Sequence, residues 1–223
     1  MSDFVWGGLP YIAFTFLIVG TIVRYVMSER NWTTKSSEFL DKKHAKWGEP
    51  IFHFALLCVI GGHVMGILIP QIVTESLGMS ETQYHDMALM AGAPAGILLV
   101  LAFFYLMWRR FLSGSAAYLK ANTSTMDKWL YFFLGITILT GITGTLSNAD
   151  GAFNYRLFIG PWFRGLLYFD PQPDLMLHIP LIFKIHMLSW MTVAILFPFT
   201  RLVHCLSIPF RYLWRAPIVY RKR

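Results

Sequence analysis

Four histidines, His53, His63, His186 and His204, lie within or at the ends of long apolar stretches of this 223-residue chain. An imidazole is costly to place in hydrocarbon and normally has a partner there. The four fall on two stretches only: His53 and His63 in IFHFALLCVIGGHVMGILIP, His186 and His204 in IFKIHMLSWMTVAILFPFTRLVH. Imidazole is a standard axial ligand to haem iron, and two imidazoles per iron leave no open position for oxygen or substrate, which suits electron transfer. These residues therefore favour two b-type haems, each held by two histidines. The alternative is packing or proton-relay histidines hydrogen-bonded between helices. The remaining three, His44, His85 and His178, fall in a connection or near a stretch end, where a solvated or interfacial side chain is the default.

The elements that must position these side chains follow from hydropathy. The chain is 56% apolar and 14% charged, with a mean hydropathy of +0.51, which places it in the membrane class. Its net charge of +7 does not indicate nucleic acid, because the basic residues lie between apolar runs rather than on one face. Segments 4–23, 50–74, 87–108 and 129–149 contain no Asp, Glu, Lys or Arg, and 175–200 contains only Lys184. Crossing the hydrocarbon takes about 20 such residues, and one long cation near a helix end snorkels. The expectation is an all-α integral membrane bundle, a single domain over 1–223 with helices at about 4–27, 50–73, 87–108, 129–147 and 178–204. Pro50 suits a first turn and Pro70 a helix end, while Pro198 falls inside the fifth helix and should kink it.

Arg24, Arg30, Lys35, Lys42, Lys43 and Lys46 in the first connection, Arg109, Arg110, Lys120 and Lys128 in the third, and Arg201, Arg211, Arg215, Arg221, Lys222 and Arg223 at the end lie on one side. Only Arg156, Arg164 and Lys184 lie on the other. This bias puts the N-terminus outside and the C-terminus in the cytoplasm of a multi-pass protein of the cell membrane. His53 and His204 then sit near the inner face, His63 and His186 near the outer one. On straight helices ten residues span roughly 15 Å and eighteen roughly 27 Å, so the levels disagree by about 12 Å and the irons lie about 21 Å apart. Gly61, Gly62 and Gly66 would admit a macrocycle close to the second helix, and Lys184 is placed to meet a haem propionate.

Cys58 and Cys205 are too few for a disulfide framework or a four-cysteine cluster, so any iron–sulfur centre belongs to a partner. The opening MSDFVWGGLP lacks a basic n-region and a cleavage site, so the first apolar run is expected to remain. The aromatic connection 147–174 fits a segment at the membrane interface, with a lid over a site as the sharper reading. The small residues at 91–96 and Gly135, Gly141 and Gly144 suit close helix packing.

Longer blocks add a resemblance. PYIAFTFLIVGTIVRY, WTTKSSEFLDKK, the second-helix block with both its histidines, GPWFR, IFKIHML and LFPFTRLVHCLSIP resemble the gamma subunit of the respiratory nitrate reductase family over nearly the whole chain. The resemblance implies a di-haem cytochrome b that oxidises membrane quinol and passes electrons to a cytoplasmic iron–sulfur beta subunit and a molybdenum alpha subunit. It implies that His53 and His204 bind the haem proximal to those subunits, and His63 and His186 the distal one. Quinol oxidation near the distal haem makes Gly62, His63, His85 and Asp86 candidates; where some members carry a lysine implicated in quinol binding, this chain has Asp86. Two other readings stand beside it: a cytochrome subunit of another quinone-linked oxidoreductase, and a haem-free anchor or transporter.

Overall fold

The computed structural model describes residues 2–27, 42–114 and 116–206. Arg30, Lys35 and most of the WTTKSSEFLDKK block lie outside them, as do Arg211, Arg215, Arg221, Lys222, Arg223 and the side chains of Lys42, Lys43 and His44. Among the described residues the regular elements are all helical, and five helices are long and apolar enough to cross a membrane. They turn apolar side chains outward: Leu57 is 67% exposed, Met90 78% and Leu101 63%. Water would penalise such a surface and lipid does not; the chain is a multi-pass membrane protein.

Helix α1 is Phe4–Met27, with π turns at Phe4–Gly8 and Phe16–Gly20. Helix α2 is Lys42–His63 and runs on through a π turn, Val64–Leu68. The short α3, Gln71–Ser76, leads to α4, Glu81–Phe111, and the short α5, Ala116–Ala121, to α6, Thr125–Ser147. Helix α7 is Tyr155–Leu167 and α8 is Leu181–Leu196, which ends in two 3-10 turns, Phe197–Phe199 and Arg201–Leu206. α2 packs on α4, α4 on α6, α6 on α8 and α8 on α1, so each span meets the next in that order.

Several boundaries differ from those expected, each for a local reason. α2 begins well before Pro50 and carries it inside the helix; the ring removes one backbone bond, to the carbonyl of Lys46, in the polar first turns where water can replace it. α2 stops before Pro70 because Ile69 is extended, as a residue preceding proline prefers. α4 and α6 start earlier than the apolar runs because Ser80 with Gln83, and Ser124 with Asp127, form reciprocal capping boxes. α8 starts at Leu181 after Pro180, and Pro198 breaks it rather than kinking it, so His204 lies on a 3-10 turn instead of the helix.

The larger buried cluster joins α1, α7 and α8 through Trp6, Ile159, Trp162, Leu166, Met187 and Met191. Trp162 Nε1 donates to the Trp6 carbonyl at 2.8 Å. The 147–174 connection therefore contributes a core helix, with its apolar face inside the bundle. A smaller cluster, Ala55, Leu99, Phe103 and Ile138, joins α2, α4 and α6. Glycines on the interior faces carry close contacts, with Gly135 against Phe103 and Gly144 against Phe183.

Candidate functional site

The four apolar-stretch histidines meet in two pairs. The rings of His53, on α2, and His204, on the last 3-10 turn, have centroids 6.0 Å apart and planes at 88°. Those of His63, at the end of α2's α-helical stretch, and His186, on α8, are 5.9 Å apart at 21°. The break at Pro198 makes the first pair possible. A straight helix would carry His204 roughly 27 Å from His186; instead Thr200 is extended and the following turn sets the His204 ring beside that of His53. The expected 12 Å mismatch disappears, and α2 alone sets the spacing of the levels, roughly 15 Å for ten residues.

In every ring Nδ1 faces a backbone carbonyl. The partners are Glu49 O for His53 at 2.7 Å, Val59 O for His63 at 2.7 Å, Thr137 O for His186 at 3.0 Å and Arg201 O for His204 at 2.7 Å. A carbonyl only accepts, so Nδ1–H donates and the lone pair resides on Nε2, the arrangement that fixes and activates an imidazole as a metal ligand. The Thr140 hydroxyl lies 3.2 Å from the same Nδ1 of His186. Gly141 lets this ring lie flush on α6: a Cβ there would stand 3.0 Å from His186 Cε1.

This donor set fits haem iron. With a metal–nitrogen bond of about 2 Å and a nitrogen-to-centre distance of about 1.2 Å, two imidazoles sharing one metal ion between them would have centroids about 6.4 Å apart. Among the described residues no three His, Cys, Asp or Glu cluster. Two protein ligands fall short of a zinc cage, whereas a porphyrin supplies the other four donors itself. A Cβ on Gly61 or Gly62 would meet nothing within 4 Å, in keeping with a face left clear for a flat ligand; Gly66 instead abuts Tyr155, whose Cε2 would be 2.9 Å from a Cβ.

Charged side chains hold both ends of the bundle. At the His53–His204 end, Arg109 pairs with Glu49 at 2.8 Å and Arg201 with Asp127 at 3.0 Å. Arg24 donates to the carbonyls of Pro198 and Thr200, on the stretch between α8 and the last 3-10 turn. At the His63–His186 end, Arg156 pairs with Glu81 at 2.8 Å, donates to Thr74 at 2.9 Å and stacks on Tyr84 at 3.8 Å. Arg164 donates to the carbonyl of Ile67, in the π turn after His63, at 2.6 Å. Burial pushes the Tyr155 phenol well above its ordinary range, so it stays neutral at this junction.

The model of the nitrate reductase gamma subunit family matches residues 2–223. The chain belongs to this family. It is 46% identical to the nitrate reductase gamma chain of Bacillus subtilis, over 100% of this chain and 99% of that one. It is 31% identical to the respiratory nitrate reductase 2 gamma chain of Escherichia coli, over 100% of this chain and 98% of that one. The nitrate reductase-like protein NarX of Mycobacterium tuberculosis is 38% identical over 100% of this chain, which spans 34% of that longer protein. As a gamma subunit, the chain is a membrane-anchored component of a respiratory nitrate reductase, an oxidoreductase with further subunits.

The other candidates of this gamma subunit are placed as follows. The Lys184 ammonium donates to the Leu177 carbonyl at 2.7 Å. His85 Nε2 lies 3.2 Å from the Ala149 carbonyl, turned toward the α6–α7 connection. Asp86 lines a shallow surface depression with Gln83, Met87 and Met90. Sequence reasoning missed Glu49, Thr137, Thr140 and Asp127, which hold the histidines directly or through a neighbour. Of these only Asp127 carried a local signal, the Ser124 capping box.

Proposed function

We propose that this gamma subunit is a di-haem cytochrome b that oxidises quinol near the outer membrane face and feeds electrons to iron–sulfur beta and molybdenum alpha subunits in the cytoplasm. The observation that carries this reading is the pair of imidazole couples, each ring held through Nδ1, with centroids 6.0 and 5.9 Å apart. His53 and His204 hold one haem, and His63 and His186 the other. Bound there, the two haems supply reversible one-electron iron chemistry between a two-electron quinol and the partner subunits. The protein fixes the tautomer and ring plane of each ligand and surrounds both levels with hydrocarbon.

The charge bias of the connections sets the N-terminus outside, which puts Gly62, His63, His85 and Asp86 on the side where quinol gives up its protons. A carboxylate or imidazole at that boundary can take a proton and return it to water. Asp86→Asn is expected to slow quinol oxidation about 100-fold while leaving haem content unchanged, the low end for losing one positioned proton acceptor; an unchanged rate removes Asp86 from the site. Lys184 lies two residues before His186, donates to the Leu177 carbonyl, and is the cation that would hold a haem propionate on this side.

The test of the whole reading is a reduced-minus-oxidised absorption spectrum of the purified complex with a haem assay. Two b-type haems per gamma chain are expected. Absence of b-type bands overturns the proposal and leaves a haem-free anchor.

A further inference from the structure

His186 rides on a continuous helix, but His204 does not. Its Nδ1 donates to the carbonyl of Arg201, a residue that follows the extended Thr200 and lies on a 3-10 turn. Such turns have poor hydrogen-bond geometry and hold their direction weakly on their own, so the plane and reach of His204 depend on what fixes Arg201.

Asp127 does so at two points. Its Oδ1 accepts from the Arg201 backbone N–H at 3.0 Å and its Oδ2 from the Arg201 guanidinium at 3.0 Å. The carboxylate is nearly sealed, at 1% exposure for the residue, and Oδ2 also accepts from Ser124 N–H at 3.1 Å. One anion thereby starts α6 and clamps the turn that carries His204. Arg201 extends the clamp to the carbonyl of Asn122 at 3.0 Å, and Arg24 holds the carbonyls of Pro198 and Thr200 from α1. The path from Asp127 to the ring is then carboxylate, Arg201 N–H, Arg201 carbonyl, His204 Nδ1–H.

We propose that Asp127 is the positioning residue for His204, acting through Arg201, and that it selectively sets the binding and midpoint potential of the haem shared with His53. This rests on the haem reading above. A direct partner, here the Arg201 carbonyl, tunes ligand basicity and its loss costs about 10–100-fold in metal affinity; Asp127 stands one bond further out, so a smaller loss is expected. The His63–His186 pair has its own anchors, Val59, Thr137 and Thr140, the last two at least ten residues, roughly 15 Å, along α6 from Asp127.

The experiment is a redox titration, with haem counting, of the purified full complex carrying Asp127→Asn. This variant keeps an oxygen for capping but removes the charge. The haem that His204→Ala eliminates is expected to shift in midpoint or fall in occupancy, with the other unmoved. Arg201→Lys, which keeps the cation and the backbone donor, is expected to shift it less. Gly141→Ala, which crowds His186, is expected to perturb only the other haem. Both haems unchanged in Asp127→Asn, both altered alike, or the change falling on the His186 haem overturns the assignment. If Asp127→Asn does not accumulate, Arg201→Gln, which removes the guanidinium that Asp127 holds and leaves the Ser124–Asp127 cap in place, is judged by the same outcomes. A wild-type complex lacking two b-type haems defeats the haem reading itself, whereas two normal haems with unaltered variants defeat only the role of Asp127.

Discussion

Replacing His53 or His204 by alanine is expected to lower haem from two per chain to one and to cut quinol-to-nitrate electron transfer by more than about 100-fold, beyond the loss typical of a residue that only holds a ligand in place. His63→Ala and His186→Ala are expected to remove the other haem with a comparable loss. The structure makes the pairing testable through non-additivity. Two residues serving one iron act as a unit, so His53→Ala with His204→Ala is expected to look like either alone, whereas His53→Ala with His63→Ala loses both haems. Packing histidines behave otherwise: each bonds a carbonyl, and deletion of one such bond costs about 1 kcal/mol without touching haem content. Haem counts that stay at two in the single variants sink ligation by these residues. Loss that follows sequence neighbours, His53 with His63, sinks the pairing.

The five spans were legible because charge-free stretches of about 20 residues have few other homes. The histidine levels were legible because a helix crossing in each direction orders its residues by depth. The straight-helix picture failed at Pro198. It counted the proline as a bend, whereas α8 ends at Leu196 and the chain passes through Phe197–Phe199 to an extended Thr200. The starts of α4 and α6 were visible as Ser80 with Gln83 and Ser124 with Asp127, but hydropathy overlooks polar caps outside the apolar run.

The arginines show a different limit. Arg109, Arg110 and Arg201 read as ordinary basic flanks, and the flank rule predicts a side of the membrane for them without saying what they touch. Arg201 meets Asp127 across 74 positions and Arg109 meets Glu49 across 60, contacts set by the packing of α4 and α6 against their neighbours. The carbonyl anchors of His186 and His204 are equally silent in sequence, since a backbone acceptor has no residue signature. The π turn after His63 is likewise a product of tertiary contact, with Arg164 taking up its Ile67 carbonyl.

The second large effect concerns the Arg156–Glu81 pair at the other end of the bundle, and it is asymmetric. Arg156 exposes 1% of its side chain and Glu81 28%, and among the described residues Arg156 Nε finds no acceptor. Removing the acid strands a sealed cation, so Glu81→Leu is expected to destabilise the subunit by about 3 kcal/mol, the low end for breaking a buried pair. Removing the cation leaves a carboxylate that water can reach and that keeps its bond from Asn154 Nδ2 at 3.1 Å. Arg156→Met preserves most of the apolar stem, so its cost is expected to be about 1–2 kcal/mol, from the lost Thr74 bond and the Tyr84 stacking. The double variant then decides the cause. If the stranded charge dominates, Glu81→Leu with Arg156→Met is more stable than Glu81→Leu alone, because an apolar pair owes no desolvation. Denaturation of the purified subunit in mixed detergent micelles, followed by the loss of helical circular dichroism, gives the ranking. A double variant weaker than both singles would mean that Arg156 acts through its contacts with Thr74 and Tyr84, holding α7 over the π turn beside His63, rather than through its charge.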